Sequence, residues 1–551
     1  MKPRFFLSHA VRAKEIITVL ARFGFADLLD HFDLPAGIRR RLTPKSLPAR
    51  TTYERIRLAL ENLGPTAVKI GQLLSMRPDV LPAGLILELR KLQCEVRPVP
   101  YEDIKPLLVA ELRAEPDEVF SEFNPVPVAS ASIAQVYFAR LRADNRPVAV
   151  KVQRPNIART IEIDLDYASW FVGQLHQRVA ALQPYDLPSV LVEIREAMKR
   201  ELDFGHEARN QQYFNTVNPF TTLVFAPAVV AELSGEKVLV MDWVEGTAAD
   251  RANLPAEQGK ILAAAGARSV VHQILVVGFF HADPHAGNLL VTTDGRLCFL
   301  DWGQVGYLTK RLRYALADFW IAAVEEDAER IVQIAISLAP ADVRLEQRVM
   351  EKEVSLALRE ELNFALGRQQ IGRAMLKLLF ICGQQGIMLS RDYSLMAKAV
   401  LSIEEIGRSL DPTFDLRAEA GPILRQVTQE RTSPRTLLRR AREFARASFA
   451  TLHDLPDELH RLVRRLEHDD FTIKLQHQGL HALDEGMRTA ANRIALGVMI
   501  GSLIIGSSII VATHLPPLFH GYSVLGITGY VLSATLGFYV IWDIIRHGRH
   551  K

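Results

Sequence analysis

His281-Ala282-Asp283-Pro284-His285-Ala286-Gly287-Asn288, followed by Leu300-Asp301-Trp302-Gly303, is the stretch that decides the fold of this chain. Asp283 and Asn288 stand five residues apart, and a second acidic residue, Asp301, follows a short apolar segment. Leu289-Leu290-Val291 and Leu297-Cys298-Phe299-Leu300 read as short buried strands, and Asp294-Gly295 between them is a hairpin turn signal. A hairpin of that size brings Asp283, Asn288 and Asp301 near one another. Phosphoryl transfer needs such a set: a carboxylate that orients the acceptor and hard oxygen ligands for Mg²⁺.

The Asp283–Asn288 spacing is that of the H-R-D-x-x-x-x-N catalytic loop of protein kinases, and Asp301-Trp302-Gly303 stands where a D-F-G would. Two other readings are open to the octapeptide. His281, Asp283 and His285 are residue types that bind zinc, so a His-x-Asp-x-His metal site is one. A polar turn after an apolar helix is the other, because short motifs match by chance.

Distant residues bear on the choice. Val148-Ala149-Val150-Lys151-Val152 is a β-branched run with one Lys, the pattern whose Lys contacts nucleotide phosphates and pairs with a helix Glu. A lone Lys on a strand is more often a solvated or edge-protecting charge. Here it precedes the catalytic loop in the order a kinase fold requires. Ser189 to Asn210 reads as one helix carrying Glu201, Asp203 and Glu207. Glu201 and Glu207 are six apart and do not share a face, so one can pair with Lys151 while another reaches elsewhere. Before the strand, Ala129, Ser130, Ala131, Ser132, Ile133 and Ala134 occupy the place of a glycine-rich phosphate loop, yet contain no glycine. Alanine and serine let backbone N–H groups approach phosphate in fewer conformations, so nucleotide handling should differ from that of a protein kinase.

With Lys69-Ile70-Gly71-Gln72 and the Leu73–Asp79 segment after it, the chain resembles the UbiB/ADCK group of atypical kinases, also called AarF-type. The motifs that carry the resemblance span residues 60 to 305 in the family's order. Trp302 replaces the usual Phe, and Ala286 the usual Pro before Gly287; neither removes a ligand. The resemblance implies Lys151–Glu207 as the ion pair, Asp283 as catalytic-loop carboxylate, and Asn288 and Asp301 as Mg²⁺ ligands. It implies further that Lys69 and Gln72, in a helix-like stretch from Arg55 to Met76, lie over the nucleotide site against Glu201 and Asp203. ATP and Mg²⁺ are the implied cofactors. Support of ubiquinone biosynthesis is the implied role, with prenylated quinone precursors, membrane lipid and other ubiquinone-biosynthesis proteins as partners.

At 551 residues, length suggests two or three units. Hydrophobic residues make up 48% and mean hydropathy is +0.06, which points to a buried or membrane segment. A net charge of +3 gives no reason to expect nucleic acid. Cys94, Cys298 and Cys382 show no pairing or metal spacing, in keeping with a reducing compartment. The N-terminus lacks the uninterrupted apolar core of a secretory signal, although a mitochondrial presequence is conceivable. The stretch to Leu34 reads as an amphipathic helix with Ile16, Ile17, Leu20 and Phe23 on one face.

From Ile494 to Trp542 there is no Asp, Glu, Lys or Arg. Ile494–Thr513 and Tyr522–Trp542 are each long enough to cross a bilayer, with His514-Leu515-Pro516-Pro517 between them. The competing reading is a buried helical hairpin. Arg493, Arg546, Arg549 and Lys551 flank the pair and the connecting loop has no Lys or Arg, which places both ends in the cytoplasm. Residues 431–449 contain six Arg and one acid, reading as a basic amphipathic helix on a lipid surface or as a solvated face on the core. No Ala-Pro-Glu follows Asp301-Trp302-Gly303, and a helical pattern resumes soon after, running from Thr309 to about Ser409. That leaves no room for a segment that presents a peptide to the site.

The fold expected is α+β: a protein-kinase-like two-lobed fold with an N-terminal helical extension and a C-terminal transmembrane hairpin. The expected division is 1–100 (extension), 101–245 (N-lobe), 246–410 (C-lobe), 411–490 (helical basic linker) and 491–551 (two transmembrane helices and basic tail). The expected activity is that of a two-pass bacterial inner-membrane ATPase or atypical kinase, with its catalytic domain in the cytoplasm. The alternatives are a nucleotide-switched scaffold and a small-molecule or lipid kinase.

Overall fold

The computed structural model describes residues 12, 15–16, 18–25, 51–75, 77, 81–92, 97–178, 187–339, 346–362, 370–385, 387, 391–434, 438, 442, 480–513, 516–519 and 522–547. Cys94, Arg549, Lys551 and most of the basic stretch 431–449 lie outside them. The chain divides into two compact units, Met1–Arg439 and Arg440–Lys551.

In the first unit residues 12, 15–16 and 18–22 are helical, residues 26–34 of the helix expected up to Leu34 lying outside the described residues, and helices α1 (Thr52–Leu63), α2 (Pro65–Leu74) and α3 (Ala83–Leu89) follow. The single helix expected over Arg55–Met76 is two. Gly64 sits at φ 98°, a backbone that L side chains rarely adopt, and Pro65 starts the next helix where its missing N–H costs nothing. Helix α4 (Tyr101–Leu112) then leads to strands β1 (Phe120–Phe123), β2 (Ala129–Ser130), β3 (Ala134–Leu141) and β4 (Pro147–Gln153). After α5 (Ile157–Arg178), α6 (Leu187–Leu202), α7 (Phe204–Val217) and β5 (Val224–Phe225) comes β6 (Val238–Asp242). Strands β1-β3-β4-β6 pair antiparallel in that order, with β2 on β3. On β4, alternation sends Val148, Val150 and Val152 into a core with Ile104, Leu108, Phe120 and Tyr137. Lys151 is thereby turned to the opposite face.

The helix expected over Ser189–Asn210 is also two. It breaks at Asp203, whose carboxylate accepts the His206 N–H at 3.2 Å and caps α7. The break lets Glu201 and Glu207 reach different partners.

Strand β7 (Gly246–Ala248), helix α8 (Ala256–His272), β8 (Phe279–His281), β9 (Leu289–Thr292), β10 (Leu297–Phe299) and β11 (Val305–Tyr307) follow. β9 and β10 form the expected hairpin, with Gly295 at φ 78° in its turn. β11 pairs antiparallel with β8. Helices α9 (Lys310–Val324), α10 (Ala328–Leu338), α11 (Gln347–Glu361), α12 (Ile371–Gln384), α13 (Arg391–Leu410) and α14 (Leu416–Thr432) complete the lobe. They account for the helical pattern from Thr309 onward. Cys298 and Cys382 are both buried free thiols.

Within this lobe α12 and α13 touch so closely that a Cβ on Gly372 would lie 2.4 Å from the Leu401 Cα. Glu404 of α13, only 3% exposed, accepts the N–H groups of Ile371 and Gly372 at 3.3 and 3.2 Å and pairs with Arg408 at 2.9 Å. Burial outweighs these partners and pushes its carboxyl up to about 7 from 4.5. Over that window the folded state holds a proton that the unfolded chain has released, so stability falls as pH rises through it. Glu404→Gln is expected to flatten this slope, by roughly 1–3 kcal/mol between about pH 5 and about pH 8. Thermal midpoints of both proteins against pH check it.

In the second unit α15 (Leu480–Ala512) and α16 (Val524–His547) pack against each other. A Cβ on Gly526 would meet Val511, one on Gly529 would meet the Ser507 hydroxyl, and Ser508 bonds Tyr530 at 2.6 Å. Three helices in the described residues are long and apolar enough to cross a membrane: Ala256–Val277, Ala491–Ala512 and Val524–Trp542. The first belongs to the lobe core, 61% buried. The other two are only 6% and 11% buried, leaving Val498, Ile505, Val531, Phe538 and Trp542 outward-facing. Apolar surface of that extent points to membrane association.

Candidate active site

Lys151 of β4 is the centre of the site. Its ammonium lies 2.8 Å from both Glu207 oxygens and 3.3 Å from Asp301 Oδ1, over the Phe204 ring at 5.2 Å. Burial opposes its charge, but Asp301 and Glu207 outweigh burial and raise its pKa. Asp301 is held well below the usual carboxylate range, chiefly by Lys151 and then, against burial, by Lys69. Glu207, 3% exposed, is raised by burial, against the pull of Lys151 and with the nearby Asp301 charge adding to the rise.

Helix α7 carries more than Glu207. Asn210 and Phe214 follow on the same face, at helical spacing. Asn210 Nδ2 donates to the Trp302 carbonyl at 3.0 Å, and Phe214 stacks on the Trp302 ring at 4.4 Å. Trp302 is fully buried and its indole N–H donates to the Phe299 carbonyl at 3.1 Å, a bond the usual Phe could not make. One helix face thus fixes both the partner of Lys151 and the residue after Asp301. Asp301 itself is held at φ 54°, with its side chain half exposed.

The loop after β8 is organised by its own side chains. His281 is fully buried. Its Nδ1 accepts the Asp283 N–H at 3.1 Å and its Nε2 faces the Leu300 carbonyl at 2.9 Å. Both bonds hold when the proton is on Nε2, and burial lowers its pKa, so the ring is neutral. Asn288 Nδ2 donates to the Asp283 carbonyl at 3.1 Å, leaving its oxygen as the end available to a cation. The His-x-Asp-x-His metal reading fails here. Both ring nitrogens of His281 are engaged by backbone, and His285 Nδ1 accepts the Gly287 N–H at 3.0 Å. Among the described residues no group of three His, Cys, Asp or Glu side chains could hold a metal ion.

Of the residues expected to cover the site, Lys69 is brought to it and Gln72 is not. Lys69 of α2 forms an ion pair with Glu201. Burial works against its charge, but Glu201 and the nearby Asp301 and Asp283 raise its pKa. Gln72 lies one turn on, and its amide donates to the Leu92 carbonyl at 2.9 Å, joining the helices of the extension. Asp203 does not meet Lys69 either. It caps α7 and lies 3.3 Å from Arg209. Both side chains are spent on local architecture, which spacing alone does not reveal.

In the Ala129–Ala134 loop, Ala129 and Ser130 pair with Val136 and Gln135 of β3, and Ala131 N–H bonds the Ala134 carbonyl at 2.9 Å, closing a tight turn. Arg154, not singled out from the sequence, fixes this turn. Its guanidinium donates to the Ala131 carbonyl at 2.8 Å, the Ser130 hydroxyl at 2.7 Å and the Arg97 carbonyl at 3.1 Å. Its position directly after β4 was the available signal. Lys398 of α13, whose ammonium is 2.8 Å from Asp283 Oδ1, was also missed. It lies far downstream, in a helix with no local motif.

Asp301 and Asn288 offer the hard oxygen donors that Mg²⁺ takes, and Lys151 and Lys69 are cations suited to phosphate. No peptide platform intervenes: β11 ends at Tyr307 and α9 starts at Lys310.

Residues 91–335 match the ABC1 atypical kinase-like domain, and residues 478–546 match the ABC1/UbiB kinase-like C-terminal domain. The chain is 29% identical to an uncharacterized protein in the hydrogenase 1 5' region of Clostridium pasteurianum, over 98% of this chain and 99% of that one. It is 30% identical to a probable protein kinase UbiB of Xanthomonas euvesicatoria, over 92% of this chain and 94% of that one. A UbiB of Xylella fastidiosa bearing the same description is 28% identical, over 93% and 95%. A solved structure, the Mycobacterium tuberculosis Rv3197–erythromycin complex, aligns at 23% identity and a TM-score of 0.41, covering 64% of this chain and 94% of that one. With both family regions matched in order and a UbiB protein aligned over nearly its whole length, this chain belongs to the ABC1/UbiB family of kinase-like proteins.

Proposed function

We propose that this chain binds Mg²⁺–ATP in the cleft between β4 and the Asp283 loop and turns it over at a membrane, in support of ubiquinone biosynthesis. The observation that carries the reading is the Glu207–Lys151–Asp301 cluster, which joins the sheet, α7 and the Asp301 loop through one ammonium. Lys151 would contact the α- and β-phosphates, with the Ala129–Ala134 turn above them. Asn288 and Asp301 would hold Mg²⁺, which would supply positive charge to offset that of the phosphates. Asp283 would orient the attacking hydroxyl. As its oxygen bonds the γ-phosphorus, the P–O bond to the β-phosphate breaks, ADP leaves with the electron pair, and the hydroxyl proton passes toward Asp283. Lys69 would add positive charge near the γ-phosphate.

Lys69 beside the site, paired with Glu201, and the short connection from Tyr307 to Lys310 in place of a peptide platform favour water or a small amphiphile such as a prenylated quinone precursor as acceptor. The C-terminal hairpin would span the inner membrane twice with both ends cytoplasmic, tethering the chain to lipid. The test uses the full chain in nanodiscs, with and without prenylphenol. Saturating Mg²⁺–ATP is expected to raise the thermal midpoint, by mass action worth about 2.7 kcal/mol at a hundred times Kd, and prenylphenol is expected to stimulate phosphate release. An unchanged midpoint overturns the reading. Binding without turnover replaces it with a nucleotide-switched scaffold, and a labelled phospholipid product with a lipid kinase.

A further inference from the structure

Lys398 sits where a lysine is costly. Its neighbours Ala397 and Ala399 are fully buried, and so, in large part, is α13 from Tyr393 to Gly407. Charged side chains are tolerated in such helices when a partner compensates them. The partner here is Asp283, at 2.8 Å, with both side chains about one-quarter exposed or less at 27% and 21%. The contact is one of charge rather than an aligned hydrogen bond: Asp283 Oδ1 is buried and has no hydrogen-bond partner among the described residues.

The backbone of Asp283 is fixed from within its own loop, by His281 Nδ1 on its N–H and Asn288 Nδ2 on its carbonyl. Its carboxylate has a different support. Lys398 holds one oxygen from α13, and Lys69 acts on the same charge from α2 at longer range. We infer that Lys398 is a positioning residue for phosphoryl transfer: it anchors Asp283 Oδ1 so that Oδ2 is presented to the acceptor, and it compensates the carboxylate as the phosphates arrive. The inference rests on the function proposed above and adds a structural dependence to it. The orientation of the catalytic-loop carboxylate would be set by a C-lobe helix that carries no kinase motif.

The experiment is steady-state ATP hydrolysis by the full chain in nanodiscs, for wild type, Lys398→Met, Lys398→Arg, Asp283→Asn and the Lys398→Met/Asp283→Asn double variant, with nucleotide-induced thermal shifts for each. Lys398→Met is expected to lower kcat at least about tenfold, with KM for ATP and the nucleotide shift within about twofold of wild type. Lys398→Arg is expected to recover most of kcat. The double variant is expected to be no slower than Asp283→Asn, because Lys398 acts through that carboxylate. A kcat for Lys398→Met within about twofold of wild type overturns the inference. So do multiplicative losses in the double variant, or a Lys398→Met that loses binding and folding together while Lys398→Arg fails to restore kcat. If the wild type neither binds nor turns over nucleotide, the proposed function falls and the inference with it. If the wild type is active and only the variant results differ from expectation, the inference alone falls.

Discussion

Asp301→Asn is expected to reduce ATP turnover by on the order of a hundredfold to a thousandfold and to remove most of the Mg²⁺-dependent nucleotide stabilisation. The substitution is informative because it changes charge with little change in shape. Asp301 occupies the left-handed region at φ 54°, where Asn is among the best-tolerated residues, so the loop has no steric reason to rearrange. Two charge relations change. Lys151 loses one of the two carboxylates that keep it charged in a buried place, and a bound cation loses its anionic ligand. Glu207 remains 2.8 Å from Lys151, so the ion pair between sheet and α7 persists. The variant should therefore fold with a near-normal unliganded midpoint yet respond weakly to Mg²⁺–ADP. Turnover within about threefold of wild type would show that Asp301 is not a metal ligand in the reaction.

Removing the chain beyond Arg488 is expected to convert a protein that resists high-salt extraction into one that salt releases or that is soluble. Ala491–Ala512 and Val524–Trp542 face outward along most of their length, and burial of such surface in lipid is not screened by ions. Whatever attraction the basic stretch 431–449 has for anionic lipid is electrostatic, so it should yield to salt. Fractionation of full-length and truncated chains in low and high salt checks this. A truncated chain as salt-resistant as the full one would show that the hairpin is not the anchor. A reporter fused after Lys551 is expected to be cytoplasmic, from the flanking Arg493 and Arg546 and the uncharged connecting loop.

Features that depend on local order and composition are readable from the residues alone. The Asp283–Asn288 spacing, the Asp294-Gly295 turn and the β-branched run around Lys151 each specify a backbone path, and together they make a kinase-like core legible. An uncharged run from 494 to 542 needs no tertiary information to be read as membrane-seeking. What the tertiary structure decided was which side chain meets which. Gln72 and Lys69 stand one turn apart, yet one bonds the Leu92 carbonyl and the other Glu201. Asp203 and Glu207 are equally acidic, yet one caps a helix and the other is buried against Lys151. Ala256–Val277 is apolar enough to cross a bilayer and is instead the core of a lobe, because other helices cover it. Lys398 became visible only when α13 packed beside the Asp283 loop. Local propensity fixes where a helix runs, but charge pairing between distant segments is settled only when packing brings them together and removes water from both.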